Sequence, residues 1–257
     1  YWAFMLGSST TNIPVVFVYD MVLDRVVSSH TITTPGAGLD NVSMSPSGNY
    51  IYVAYDPVPP YVGSEHNPGV YPRDFSSFCQ ISGGVPHTAW TISAQGNEGM
   101  INLWPHGDNI DYLAFTRVAP TCQTFKLYYQ GDMGWNASGL LHMTGPASKI
   151  GWTFLSTYST PFPGEWIQNQ IWAIEVDETK VYGNPPATKP RIWRVAFTQN
   201  IVGASYYFQQ PNAQIDADGT RIWWGSNWRN AASQSQDILQ LTLPANWWTD
   251  LSGLPSD

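Results

Sequence analysis

The sequence predicts an all-β protein, and the first two observations that support this fold class concern helix and strand signals. No stretch keeps apolar residues at helical spacing over three turns, and the 22 Gly and 20 Pro would interrupt helices of ordinary length. Short runs rich in Ile, Val, Tyr, Trp and Thr recur instead, each bounded by Gly, Pro, Asn or Asp. The predicted strand runs are 15–20, 50–56, 110–117, 124–130, 151–159, 170–177, 191–198, 221–228 and 237–243.

The third observation is a sequence motif that repeats along the chain and contains several of these runs. It consists of a strand, a tight Ser/Asp-x-x-Gly turn and a second strand, and it occurs at 41–56 and at 212–228, with a further copy opening at 89–96. Gly supplies the positive φ of the turn, while Ser or Asp accepts a backbone hydrogen bond. Gly48 and Gly96 are 48 residues apart. A period of about 40 to 50 residues with four strands per unit is typical of a β-propeller.

The period divides the chain into about five units of a β-propeller with four-stranded blades, the first unit lacking some strands. A complete ring of six or seven blades needs more sequence, so we expect a fragment, a partial ring or a swapped closure strand. A pair of β-sandwiches or a jelly roll would fit the strand content but not the long repeat. The predicted organisation is a single propeller domain over 1–244 and a Trp-rich tail over 245–257, with units at 1–35, 36–84, 85–132, 140–200 and 204–244.

Composition excludes two classes of partner. Only 12% of the residues are charged, the net charge is −8 and the isoelectric point is about 4.9. Nucleic acid and anionic membrane surfaces both need basic patches, so neither is expected as a partner. No apolar run approaches the length of a membrane span, so no membrane insertion is expected. The first residues lack an initiator Met and a basic segment, which indicates a processed, truncated or internal start.

The two cysteines and the abundance of neutral polar residues indicate an extracellular or cell-surface protein. Cys79 and Cys122 are too far apart in sequence for a Cys-x-x-Cys motif. A disulfide between neighbouring units is the preferred interpretation, and two free buried thiols are the alternative. Asn41 and Asn136 each begin an N-glycosylation pattern, which is a weak signal in a chain rich in Asn and Ser.

Two segments resemble a known blade signature. Residues 44–51 (MSPSGNYI) and 215–223 (IDADGTRIW) look like the S-P-D-G-x-x-I/L signature of TolB-like and WD40-like propellers. Together with 151–159, 170–177 and 191–198, they resemble bacterial secreted propellers of the oligogalacturonate lyase-like group. The resemblance implies the fold over most of the chain but not the function, because propellers host lyases, hydrolases, lectins and scaffolds.

The resemblance also implies a divalent-metal site, and this chain departs from it. The lyase family places the metal on a Gln-x-x-His-x-His stretch, with a further His from the preceding blade. The matching stretch here is 209–214 (QQPNAQ), in which Gln209 keeps its type while Asn212 and Gln214 stand where imidazoles would be. His142 is the candidate for the remaining ligand. Because neutral amides are weak ligands for Mn²⁺ or Zn²⁺, we expect a degenerate site with no metal and no cofactor.

Histidines and acids give few catalytic signals. The five histidines show no metal-ligand spacing, and no nucleophile motif occurs. His87 precedes the inner strand of a predicted blade, where a residue can face the central channel. It could serve a site, although a structural hydrogen bond to a neighbouring blade is the simpler interpretation. Acid pairs for glycoside hydrolysis cannot be placed from sequence.

Tryptophans are the main candidates for binding. Those in predicted strands, among them Trp223 and Trp224, are expected mostly between blades, where their rings bury large areas. Those in loops or in the tail either pack beneath the chain or offer flat rings to a pyranose or to a protein partner. These candidates are Trp135, Trp166, Trp228, Trp247 and Trp248.

These observations predict a secreted or surface-displayed propeller that acts as a binding or assembly module. Its expected partners are glycans or protein surfaces, including copies of itself, with Trp247 and Trp248 as the first candidates for subunit contact. The alternative is a polysaccharide-active enzyme, a lyase or hydrolase, with a diverged pocket at the propeller channel.

Overall fold

A computed structural model describes most of the chain. The described residues are 1–6, 15–32, 38–56, 68–81, 87–104, 112–133, 141–146, 149–158, 167–183, 185, 189–200, 209–230 and 236–253. Within them, eighteen strands form five antiparallel sheets in which strands consecutive in sequence pair as neighbours. Each sheet falls within one of the five predicted units, so the all-β prediction is confirmed.

The sheets are labelled A to E in chain order. Sheet A contains β1 (Trp2–Leu6), β2 (Val15–Asp20) and β3 (Arg25–Thr31). Sheet B contains β4 (Gly38–Met44), β5 (Tyr50–Asp56), β6 (Gly69–Pro72) and β7 (Cys79–Gln80). Sheet C contains β8 (Ala89–Ile92), β9 (Glu98–Trp104), β10 (Tyr112–Arg117) and β11 (Gln123–Tyr129). Sheet D contains β12 (Leu141–Thr144), β13 (Trp152–Thr157), β14 (Gln170–Glu175) and β15 (Ile192–Phe197). Sheet E contains β16 (Gln214–Ile215), β17 (Arg221–Ser226) and β18 (Asp237–Thr242), and helix α1 (Trp247–Gly253) follows it.

The predicted Ser/Asp-x-x-Gly turns join the first two strands of sheets B and E. Gly48 has a φ of 72° and Gly219 a φ of 68°, which a residue with a Cβ rarely adopts. The Gly219 amide donates to the Asp216 carbonyl at 2.9 Å. The Asp216 carboxylate accepts from the Thr220 amide at 2.7 Å and from the Arg221 amide at 3.1 Å. The short acid therefore fixes the turn that aligns β16 with β17.

The chain forms two compact units. The first contains residues 1–86 and 118–123, and its core is built on Val16 and Val18 of β2 with Ile51 and Val53 of β5. The predicted disulfide is present and joins Cys79 to Cys122 within this unit.

The second unit contains residues 87–117 and 124–257, and sheets D and E share its Trp-rich core. The core includes Trp152, Phe154, Trp224 and Trp247. Helix α1 supplies Trp247, so residues predicted as part of a separate tail pack into the sheets. In the described part of the chain, no helix is long and apolar enough to cross a membrane.

Candidate functional site

Three strands of the second unit bring the site together. β8, β12 and β16 are the first strands of sheets C, D and E, and β12 contacts both of the others. His87 lies two residues before β8, His142 lies within β12, and Asn212 lies two residues before β16. Residues far apart in sequence therefore meet at the starts of three neighbouring strands.

A pocket of about 260 Å³ opens at this position. The pocket is lined by His142, residues 210–212, Gly225, Gln236 just before β18, and Ile238 within β18. The volume lies just below the roughly 300–1,000 Å³ typical of small-molecule sites. The pocket is therefore suited to a small group such as a single sugar ring.

Hydrogen bonds orient the polar lining. His142 Nε2 lies 2.5 Å from Gln210 Oε1, so the ring donates this proton to the amide oxygen. The Gln236 amide donates to the Gln210 carbonyl at 3.4 Å. A Cβ on Gly225 would overlap the Gln236 amide, so the glycine gives this side chain its place beside the pocket.

Two aromatic side chains support His142. The Tyr158 ring stacks on it with centroids 5.6 Å apart, and Tyr158 is buried. The His87 ring lies 5.0 Å away, centroid to centroid, and hydrogen-bonds the backbone at Leu141. His87 therefore makes a hydrogen bond to the neighbouring sheet, as in the structural role considered for it above.

Both imidazoles are held neutral near pH 7. Burial and the neighbouring His142 lower the pKa of His87 to about 4, against the hydrogen bond to Leu141, which raises it. Burial also lowers the pKa of His142, while the hydrogen bond with Gln210 raises it. The pocket therefore offers neutral donors and acceptors, namely an imidazole and amides, beside the apolar Pro211 and Ile238.

Solved structures share this architecture. TolB from Acinetobacter baumannii aligns over 94% of this chain and 50% of its own, with a TM-score of 0.52 and 14% identity. An oligogalacturonate lyase in complex with manganese aligns over 92% of this chain and 55% of its own, with a TM-score of 0.53 and 10% identity. An oligogalacturonate lyase from Vibrio parahaemolyticus aligns over 91% and 56%, with a TM-score of 0.53 and 8% identity.

The fold is that of a TolB-like β-propeller. The chain spans about half the length of the propeller structures that it matches. No family model and no curated protein matches the chain. The structural alignments establish the fold, but at identities this low they do not establish the function, which has to be argued from the site.

The donor set of the propeller's pocket does not fit the divalent metal that the resemblance implies. His142 uses its Nε2 for Gln210, and His87 uses a ring nitrogen for Leu141. The Gln214 amide donates to Asn212 Oδ1 at 3.2 Å, so these two amides bond each other. Within the described residues, no group of three His, Cys, Asp or Glu side chains could hold a metal ion.

The positions matched to the family's metal site are nevertheless close together. His142 and Asn212 line one pocket. Gln214 starts β16, and its Oε1 accepts from the Thr144 hydroxyl at 3.4 Å. Gln209 is fully buried, and its carbonyl accepts from the Asn200 amide at 2.8 Å. Hydrogen-bonding side chains therefore stand at the positions that match the metal ligands of the lyase family, and two of these positions line the pocket.

The tryptophan candidates separate by environment. Trp228 is 60% exposed, and its indole N–H donates to Asp237 at 2.7 Å. Trp247 is only 5% exposed, and its N–H donates to the Gly219 carbonyl at 2.6 Å, so its ring packs beneath the chain and offers no free face. Trp248 is half-buried against Trp247, with Lys149 Nζ 3.7 Å from its ring centroid. Trp135 and Trp166 lie outside the described residues.

Several residues around the pocket were not predicted from the sequence. Gln210, Gln236 and Ile238 had no motif to mark them, because their proximity depends on how sheets D and E pack. Trp223 is half-buried and lies outside the Trp-rich core cluster that sheets D and E share. The alternation of inward Ile222 and Trp224 is the signal that could have placed Trp223 on the opposite face.

Proposed function

We propose that this protein is an extracellular or cell-surface β-propeller that binds glycans through the pocket at His142. The observation that carries the proposal is the lining: a neutral imidazole and three amide side chains beside two apolar residues, with no charged side chain among its described members. Amides and imidazoles suit hydroxyl groups, which both donate and accept hydrogen bonds. Because no charge is available to pair with a carboxylate or phosphate, the preferred ligand is a neutral saccharide.

The extracellular location rests on separate observations. The Cys79–Cys122 disulfide is of a kind that persists in oxidising compartments and is rare in the cytosol. A charged fraction of only 12%, with many neutral polar residues, agrees with that environment. Neither feature depends on the pocket, so the proposed location and the proposed ligand can be tested separately.

Glycan-array binding tests the proposal, and the double variant Gln210→Ala/Gln236→Ala supplies the site-directed arm. Wild-type protein is expected to bind neutral oligosaccharides. The variant loses two hydrogen-bonding side chains worth about 1 kcal/mol each, so its affinity should fall at least about tenfold. Gln80→Ala, which removes an exposed amide on β7 of the other unit, is the matched control and should bind as wild type.

Three results would contradict the proposal. The first is an array with no bound glycan, and the second is a double variant that binds as tightly as wild type while keeping the wild-type unfolding midpoint. The third is chelator-sensitive shortening of an oligosaccharide, detected by mass spectrometry, which would favour the polysaccharide-active alternative over a binding module.

A further inference from the structure

We infer that the pocket at His142 selects an N-acetylhexosamine and that the acetamido group of this sugar is the part that the pocket recognises. The inference rests on the proposed function and names the class of saccharide that the same site binds. Three features of the described lining carry it: the ends of the amide side chains that the protein does not use, the position of Pro211 between two of these amides, and the lack of a charged side chain.

Each amide in the lining uses one of its two ends within the protein. Gln210 Oε1 accepts from His142 Nε2 at 2.5 Å, and Asn212 Oδ1 accepts from the Gln214 amide at 3.2 Å. Gln236 Nε2 donates to the Gln210 carbonyl at 3.4 Å. Because a side-chain amide carries an acceptor oxygen and a donor nitrogen, each of the three pocket amides keeps its other end.

The unused ends supply both donors and acceptors. Within the described part of the chain, Gln210 Nε2, Asn212 Nδ2 and Gln236 Oε1 are not hydrogen-bonded. Gln210 and Asn212 therefore offer amide N–H groups, and Gln236 offers an oxygen. His142 adds a second acceptor, Nδ1, because its Nε2 carries the proton that is donated to Gln210. A matching ligand presents an acceptor to the two amides and a donor to Gln236 or His142.

Contacts with sheet D hold the two donors in position. Gln210 is bonded to His142 of β12. Asn212 is bonded to Gln214, whose Oε1 accepts from the Thr144 hydroxyl of β12 at 3.4 Å. The positions of the donors are therefore set between sheets D and E, and they do not depend on the face of sheet E that is turned away from sheet D.

An apolar side chain separates the two donors. Pro211 lies between Gln210 and Asn212 in the sequence, and all three residues line the pocket. The Pro211 carbonyl accepts from the Gly225 amide at 3.0 Å, so its polar group is already bonded within sheet E. What Pro211 offers to a ligand is the carbon surface of its ring. The lining therefore alternates an amide donor, an apolar ring and a second amide donor.

An acetamido group has the three parts that this lining matches. Its carbonyl oxygen accepts hydrogen bonds, so it suits the N–H groups of Gln210 and Asn212. Its N–H donates, so it suits Gln236 Oε1. Its methyl group gains by leaving water against the Pro211 ring. A plain hydroxyl group has no apolar part, so a hexose without the substituent leaves the Pro211 ring in contact with water.

The same lining disfavours charged sugars. Among the described lining residues there is no acid, so the ammonium group of a free amino sugar finds no partner. A uronic acid finds no cation there either, because burial lowers the pKa of His142 and its ring supplies no positive charge near pH 7. The volume of about 260 Å³ suits one sugar residue with its substituent.

Matched monosaccharides test this preference on the wild-type protein. The methyl glycosides of glucose and of galactose are each titrated in three forms, which carry a hydroxyl, an amino or an acetamido group on the second carbon of the ring. Affinities are measured at pH 6 by nuclear magnetic resonance. In at least one of the two series, the acetamido form should bind at least about tenfold more tightly than the other two, because it adds hydrogen bonds and a methyl contact.

The variant Asn212→Asp tests the assigned donor. It keeps the oxygen that accepts from Gln214 and replaces the donor nitrogen with a carboxylate oxygen. The acetamido form should bind it at least about tenfold more weakly than it binds wild type, and the cationic amino form should become the preferred ligand. Gln80→Glu makes the same amide-to-acid change at an exposed position on β7, outside the pocket, and should keep the wild-type order of affinities.

The outcomes separate this inference from the proposed function. If neither acetamido form binds better than its hydroxyl form while neutral saccharides still bind, the selectivity is overturned and the proposed function stands. An Asn212→Asp variant that keeps both the acetamido preference and the wild-type unfolding midpoint overturns the assignment in the same way. The wild-type comparison needs no variant, so it decides the question even where Asn212→Asp does not fold. A wild-type protein that binds no saccharide, on the array or in solution, overturns both proposals.

Discussion

Sheets A and E share a plan and differ in the face that each turns away from its core. Within the described residues both have three strands, and both bury alternate side chains of the middle strand: Val16 and Val18 in β2, Ile222 and Trp224 in β17. The outward face of sheet A continues with exposed apolar side chains. That of sheet E surrounds a single tryptophan with amides and a paired arginine.

The chemistry around an aromatic ring decides what the ring can bind. On sheet A, Trp2, Phe4 and Leu6 are 55%, 39% and 66% exposed, and they pair across to β2 side chains that are themselves apolar. An apolar cluster of this kind gains most by leaving water altogether. On sheet E the amides beside Trp223 are hydrogen-bonded within the protein: Gln240 Oε1 accepts from the indole N–H at 2.7 Å, and the Gln214 amide donates to Asn212 Oδ1 at 3.2 Å. The two faces therefore differ both in the number of aromatic rings and in the polarity of the side chains around them.

The largest expected effect separates two adjacent tryptophans of sheet E. Trp224→Ala removes a ring that is 7% exposed and whose N–H donates to the Thr198 carbonyl at 3.1 Å, so it should lower the free energy of unfolding by about 3–5 kcal/mol. Trp223→Ala removes a ring on the outward face and should cost about 1 kcal/mol or less. Urea denaturation followed by circular dichroism measures both. Equal losses would show that Trp223 is also a core residue.

The second prediction uses the disulfide, which only the unit containing sheet A possesses. Cys79→Ser/Cys122→Ser removes a cross-link over 43 residues and should lower stability by about 2–4 kcal/mol. Hydrogen exchange should show reduced amide protection in β2 and β5, with β14 and β17 unchanged. Reductant should change wild type in the same way and leave the double variant unaffected. Equal loss of protection in β17 would mean that sheet E depends on the cross-link as much as sheet A does.

Local rules explain why so much of the fold was predictable. The turns at Gly48 and Gly219 are encoded within a few residues, because a positive φ and an acceptor side chain must occur at fixed offsets. The 48-residue spacing between Gly48 and Gly96, applied along the chain, then predicts about five units, and each of the five sheets falls within one of them. The pairing of Cys79 with Cys122 needed no choice among partners, since the chain has two cysteines.

The site depended on contacts between sheets, which the sequence encodes only indirectly. In the run Ile222-Trp223-Trp224, both tryptophans suit a strand, and only the register against Leu239 and Leu241 decides which one faces the core. Trp247 lies beyond the last strand, so the repeat of strands and turns along the sequence does not predict whether its side chain is buried. Its burial follows from the way that α1 folds back beneath Gly219. Exposure of a tryptophan is therefore a property of packing that composition cannot supply.

The smallest expected effect tests the outward face of sheet A directly. Phe4→Ser and Leu6→Ser each remove an exposed apolar side chain, so stability should change by about 0.5 kcal/mol or less. Fluorescence of the dye anilinonaphthalene sulfonate, which binds exposed apolar surface, should nevertheless fall markedly in both variants. Gln240→Ser, made at an exposed position on the outward face of sheet E, should leave the dye signal at the wild-type value.

The dye measurement bears on the comparison because it is blind to hydrogen bonding. If the apolar face of sheet A binds the dye and the face of sheet E that carries Trp223 and its neighbouring amides does not, the two faces differ in polarity as well as in the number of aromatic rings. A signal that persists in the Phe4→Ser and Leu6→Ser variants but is lost in Trp223→Ala would reverse the assignment. Sheet E would then present the more hydrophobic of the two faces.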